Sequence, residues 1–188
     1  MSEAKKQKLI NHYIKCLEYM MTDLDLKRYF GDDVNILKYS ELDNYSSIEE
    51  LLPEDKSFVV VLTESEYNSG HWCVLMRYGK TIEWFDSYGV HPEGQLSFIP
   101  STVKKMLGQD DYHLSNLLKT MPKDMKFIYN NKKFQVLKDG VNTCGRWIVA
   151  RILMMRFGYT LPEFIEKLKR KKSETGKPYD ILISDWIN

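Results

Sequence analysis

The chain has only three cysteines, Cys16, Cys73 and Cys144, and no two of them form a C-x-x-C pair. That excludes a disulfide framework and a multi-thiolate zinc site, and the odd count leaves at least one thiol free. Neither sign of charge is in excess. With 27 Lys and Arg against 26 Asp and Glu, the formal net charge is +1, so any nucleic-acid or membrane attraction must be local. No apolar run approaches the ~18 residues of a membrane span. The opening MSEAKKQKLINHY lacks the uninterrupted apolar stretch of a signal peptide. A soluble protein of a reducing compartment, with no membrane partner, is the expectation. Internal repeats and low-complexity linkers are missing too, so residues 1–188 read as one domain. What is present, 43% hydrophobic and 13% aromatic residues, lies away from the composition of disordered chains.

Leu9, Tyr13, Leu17 and Met20, with Ile10 and Ile14 beside them, recur every three or four positions and predict an amphipathic helix from about Leu9 to Met21. On it, Cys16 reads as a packed small hydrophobe and His12 as a surface or boundary histidine. The continuous run Phe58-Val59-Val60-Val61-Leu62 predicts a central strand covered on both faces. Trp72–Tyr78 and Thr81–Asp86, separated by Gly79-Lys80, predict an antiparallel hairpin. Thr102 to Met121 reads as two short helices broken near Gly108, and Phe127-Ile128-Tyr129 as a further strand. After the turn-like Lys138-Asp139-Gly140, an apolar run from Arg146 to Phe157 stops at Gly158 and predicts a mostly buried helix. Pro162 to Lys172 is expected to be the last helix. The class is α+β.

Cys144 stands at the entrance of the buried helix. The unpaired N–H groups and partial positive charge of a helix N-terminus favour an anion, and the thiolate is the nucleophilic form of cysteine. Gly145 allows close approach of another backbone. His71 opens the first hairpin strand and Asp86 closes the second, so a turn at Gly79-Lys80 brings them to one end of the sheet. An imidazole and a carboxylate there can share a hydrogen bond that fixes the ring tautomer. Each feature also has a bland reading: a structural cysteine, a surface histidine, and an aspartate opening the Asp86-Ser87-Tyr88-Gly89 turn.

Taken together, Gly70-His71-Trp72, Trp84-Phe85-Asp86-Ser87-Tyr88-Gly89, a glutamine, and Thr143-Cys144-Gly145 resemble the His…Asp…Gln…Cys signature of adenain-like cysteine proteases. That group joins the adenovirus maturation protease to the SUMO-deconjugating enzymes. The resemblance covers about residues 55 to 160, and the chain length is similar to that of compact viral, virophage and Polinton members. It implies a papain-like fold of the adenain type: a central mixed β-sheet flanked by helices, with the nucleophile at the N-terminus of a buried helix. It also implies Cys144 as nucleophile, His71 as general base and then acid, and Asp86 as the group orienting the ring. Gln135 is implied as the oxyanion glutamine, although it stands nine residues before Cys144, a couple more than is usual in the family. Gln95 and Gln109 are poorer choices, because a helix and a strand would separate them from the thiol. Trp72 is implied as an aromatic wall of a narrow channel for small residues, with Gly145 beside it as a second substrate-binding position. Cys73 reads as core, and His91 and His113 as surface histidines.

The resemblance implies a cysteine endopeptidase with no cofactor and no metal. Its expected substrates are viral capsid precursors cut after Gly-Gly-type sites during virion maturation, in the virion and the host-cell cytoplasm. Two alternatives stand beside it: a protease that removes SUMO, ubiquitin or a related modifier, cytoplasmic or nuclear, and a non-catalytic scaffold. Lys167, Lys169, Arg170, Lys171 and Lys172 form a basic run. It reads either as a solvated helix end or as an electrostatic tether to nucleic acid. A monomer is expected.

Overall fold

The structure, a computed structural model, describes residues 2–187. Helices α1 (Glu3–Glu18) and α2 (Asp23–Phe30) lead into a short strand β1 (Ile36–Lys38), a 3-10 turn and helix α3 (Ile48–Leu51). Three strands follow without interruption: β2 (Phe58–Glu66), β3 (Ser69–Tyr78) and β4 (Thr81–Phe85). A 3-10 helix (Gly94–Phe98), α4 (Ser101–Met106) and α5 (His113–Leu118) precede β5 (Lys126–Tyr129). Helices α6 (Cys144–Arg156), α7 (Leu161–Thr175) and α8 (Tyr179–Trp186) complete the described chain. The sheet order is β1-β2-β3-β4-β5, with an antiparallel centre and a parallel strand on each side. It is therefore a mixed sheet flanked by helices, in an α+β fold.

The apolar run of β2 is covered on both faces because side chains alternate along a strand. Val60 and Leu62 join Trp72, Val74, Met76 and Phe85 beneath α6, while Val59 and Val61 join Cys73, Leu75, Ile82 and Trp84 on the opposite face. The hairpin forms as its spacing predicts: Tyr78 pairs with Thr81 across a two-residue turn whose Gly79 has φ +52°. Helix α6 is buried around almost its whole circumference, and its two buried arginines, Arg146 and Arg151, have hydrogen-bond partners. Arg151 reaches Glu83 on β4 through two hydrogen bonds, Nε to Oε1 at 2.8 Å and Nη2 to Oε2 at 2.7 Å, with both side chains fully buried. Arg146 donates to the carbonyls of Ile187 and Tyr19.

Three expectations need correction. The first helix runs from Glu3 to Glu18, not Leu9 to Met21, and none of its residues is buried. Ser2 caps its start, and the capping box of Thr22 and Asp25 begins α2 immediately after Met20 and Met21. The stripe is real but mostly uncovered, since Leu9, Ile10 and Ile14 stay more than 40% exposed while Tyr13 leans on α8 through a bond to Asp185. Helix α7 is not the last: Gly176, at φ +67°, ends it, and Pro178 opens α8. His113 is not a surface histidine, because its ring is largely covered and lies 3.2 Å from Asp43. No helix among the described residues is long and apolar enough to cross a membrane.

Candidate active site

The β3–β4 register, with Val74 opposite Phe85, carries the start of β3 past the end of β4. His71 Nε2 lies 2.9 Å from Asp86 Oδ1. Asp86 is fully buried and held from several sides. Its Oδ1 also accepts the Tyr88 N–H at 2.8 Å, its Oδ2 accepts Gln95 Nε2, and its carbonyl accepts Asn130 Nδ2. The Tyr88 bond is the Asx-type turn that the Asp-Ser-Tyr-Gly sequence favours. Gly89 closes that turn at φ +72°, against the Lys132 backbone where a Cβ would lie 2.5 Å from a carbonyl carbon. The Tyr88 ring then stacks on His71, with centroids 4.3 Å apart.

Cys144 is the first residue of α6 and is 9% exposed. The strand that supplies His71 also supplies Trp72, Val74 and Met76 to the floor on which α6 lies, so sheet and helix head converge. Thr143 Oγ1 donates to the buried Asp180 of α8 at 2.5 Å, and Asn142 donates to the carbonyls of Leu17 and Glu18. The segment leading to the nucleophile candidate is thus tied to α1 and α8. Asp180 accepts from Val136 N and Trp147 Nε1 as well. Burial raises its carboxyl above the usual range, partly offset by these donors.

The electrostatics favour a charged pair. Burial works against ionising Cys144, but the positive charge and hydrogen bond of His71, with the backbone N–H groups of Trp72 and Gly145, hold its thiol below the ordinary value. Burial likewise opposes charging His71, yet the charge of Cys144 and the hydrogen bond and charge of Asp86 raise it well above the usual histidine value. Cys73 itself is pushed up to about 12, by burial first and then by Asp86, so it stays protonated at neutral pH. The groups whose charges support one on His71 are therefore Cys144 and Asp86, not Cys73. With Nε2 on Asp86, Nδ1 is the nitrogen left for the sulfur.

Trp72 belongs to both core and cleft: it is 8% exposed, donates Nε1 to the Met21 carbonyl at 2.8 Å, and lines a groove of ≈ 580 Å³ that reaches Cys144. Gly70 and Met21 line the same groove. At Gly145 the close approach is made by the chain itself, since an added Cβ would lie 2.6 Å from Met21 Cβ. Gln135 is buried with its amide engaged, accepting from Ser87 Oγ at 2.8 Å and donating to the Val141 carbonyl at 2.9 Å. Gln109 is bonded to the Glu64 backbone. Gln95 is the residue the spacing argument undervalued: the chain turns back after Pro92 and sets its amide on Asp86 and near Cys73 Sγ. His91 sits edge-on to Tyr129.

His71, Cys73 and Asp86 offer donor atoms within 4.8 Å of one another, the one such grouping among the described residues. Asp86 is already bonded to His71 and to Gln95, and Cys73 Sγ lies 3.5 Å from the Gln95 amide. On α7, Lys169 pairs with Glu166, Arg170 and Lys171 with Glu174, and Lys167 and Lys172 lie over the rings of Tyr159 and Tyr179. Each basic side chain of that run has a local partner.

Fold and site together define an α+β protein with a thiol, an imidazole and a carboxylate converging at one end of a mixed sheet. The chain is 32% identical over 150 residues to V9 of Sputnik virophage, described as an uncharacterized protein, with 79% of this chain and 84% of that protein aligned. It belongs to the family of that virophage protein, which supports a viral origin. No family model matches the chain, and no solved structure does.

Proposed function

We propose that the chain is a cysteine endopeptidase with a papain-like fold of the adenain type, acting on viral capsid precursors during virion maturation. The observation that carries this reading is the His71–Asp86 bond of 2.9 Å beside a thiol whose ionisation His71 promotes at the head of a buried helix. Cys144 attacks the scissile carbonyl as thiolate. His71 then donates its proton to the leaving amine, and the resulting thioester is hydrolysed by water that His71 deprotonates. Asp86 keeps Nε2 occupied and stabilises the imidazolium throughout.

The first N–H groups of α6 have no intrahelical acceptor and supply the oxyanion donors. Gln135 joins them only by releasing the Val141 carbonyl, so it is a secondary donor in this scheme. The proposed substrate places small residues, of Gly-Gly type, before the cleaved bond, in the groove that Gly70 and Trp72 line. Virion and host-cell cytoplasm follow from the viral role.

Co-expression with candidate capsid proteins, followed by mass-spectrometric mapping of cut sites, tests the reading. Cleavage after small residues that disappears in Cys144→Ala supports it. Cuts that persist in that variant reject it.

A further inference from the structure

Asp86 is a fully buried carboxylate, and its Oδ2 accepts a hydrogen bond from the side-chain amide of Gln95. Gln95 is itself 7% exposed and stands on a rigid platform. The 3-10 helix that carries it buries Leu96 and Ile99 on either side of the exposed Ser97 and Phe98. Its entry residue Glu93, at φ +65°, is pinned by Tyr39 Oη at 2.9 Å, Ser115 N at 2.8 Å and Ser115 Oγ at 2.6 Å. The amide therefore has little freedom to leave Asp86.

We propose that Gln95 is a positioning residue of the active site: its amide donates to Asp86 Oδ2 and lies 3.5 Å from Cys73 Sγ, holding the carboxylate in the one orientation that presents Oδ1 to His71. The inference rests on the peptidase reading above. A carboxylate in a water-excluded place that loses a donor becomes more basic and free to rotate. Asp86 then competes with His71 for the proton, and the support for the imidazolium that activates Cys144 weakens. The charged and titratable groups around this carboxylate are His71 and Cys73 from β3, Tyr88 from the following turn, and Cys144 from α6, with Asp180 of α8 acting on Tyr88.

The test is the rate of Cys144 alkylation by iodoacetamide in the full chain, followed by peptide mapping over about pH 4 to 9, which needs no substrate. Gln95→Leu removes the donor. Gln95→Glu keeps the volume and places a second carboxyl against Asp86, so it serves if the leucine variant fails to fold. Ser97→Ala on the same 3-10 helix is the control. The acid limb should move up by about one pH unit in Gln95→Leu and further in Gln95→Glu, with no movement in Ser97→Ala. A low wild-type limb that stays in place in folded Gln95 variants overturns the assignment to Gln95 alone. A wild-type Cys144 that reacts like an ordinary thiol overturns the ion pair, and with it both the peptidase reading and this inference.

Discussion

Two thiols lie beside the same imidazole and behave in opposite ways. Cys144 is held below the ordinary thiol value, whereas Cys73, two residues after His71 on the same strand, is pushed up to about 12. Both are buried, so burial does not distinguish them. The difference lies in what else each sulfur meets. Cys144 heads a 13-residue helix and receives the backbone N–H groups of Trp72 and Gly145 besides His71. Cys73 is enclosed in mid-strand among Val59, Val61, Leu75 and their neighbours, close to the Asp86 charge. The helix head favours the thiolate of one, and the strand interior keeps the other a protonated packing group.

The sharpest way to break that comparison is to remove each sulfur in turn. Cys144→Ala should abolish precursor cleavage, a loss of at least about 10⁴-fold, with the circular-dichroism spectrum unchanged. The seat of the helix comes next. Arg151→Met leaves Glu83 as an uncompensated buried charge and should cost about 3–5 kcal/mol in urea unfolding, loosening α6 from β4. His71→Ala removes the cation that draws out the Cys144 proton. Because the wild-type thiol is lowered, its thiolate persists to lower pH than that of an ordinary cysteine; in the variant, alkylation of Cys144 at pH 6 should slow by about 100-fold. At the small end, Cys73→Ala should cost about 1 kcal/mol of stability and leave the Cys144 pH profile in place. In the wild type, with its value near 12, Cys73 should have a thiolate fraction of about 10⁻⁴ at pH 8 and resist labelling until the chain unfolds. Rapid labelling of native Cys73 would show that the two environments are not distinct.

How far the site could be read in advance depended on how local its geometry is. His71 and Asp86 were placed together by a two-residue hairpin connection, which leaves little choice of register. The helix behind Cys144 was legible because its apolar run is long and ends at a glycine. Gln95 was passed over because the 3-10 helix that carries it has no periodic signal and reaches Asp86 by a chain reversal after Pro92. Asp180 was missed with all of α8, a helix of eight residues hidden behind Pro178. The first helix teaches the converse: a correct apolar period gave a helix but not its burial, because nothing in the described chain covers Leu9, Ile10 and Ile14.

The order of amino acids alone determined the alternating strands, the hairpin turn at Gly79-Lys80 and an apolar rod beginning at Cys144, since those follow from periods of two and 3.6 residues and from where glycine is tolerated. Only the packed fold decided which thiol is the easier to ionise, which glutamine bonds the carboxylate and which helix face stays bare. Those outcomes depend on desolvation and on donors arriving from segments far away along the chain, and no local pattern records them.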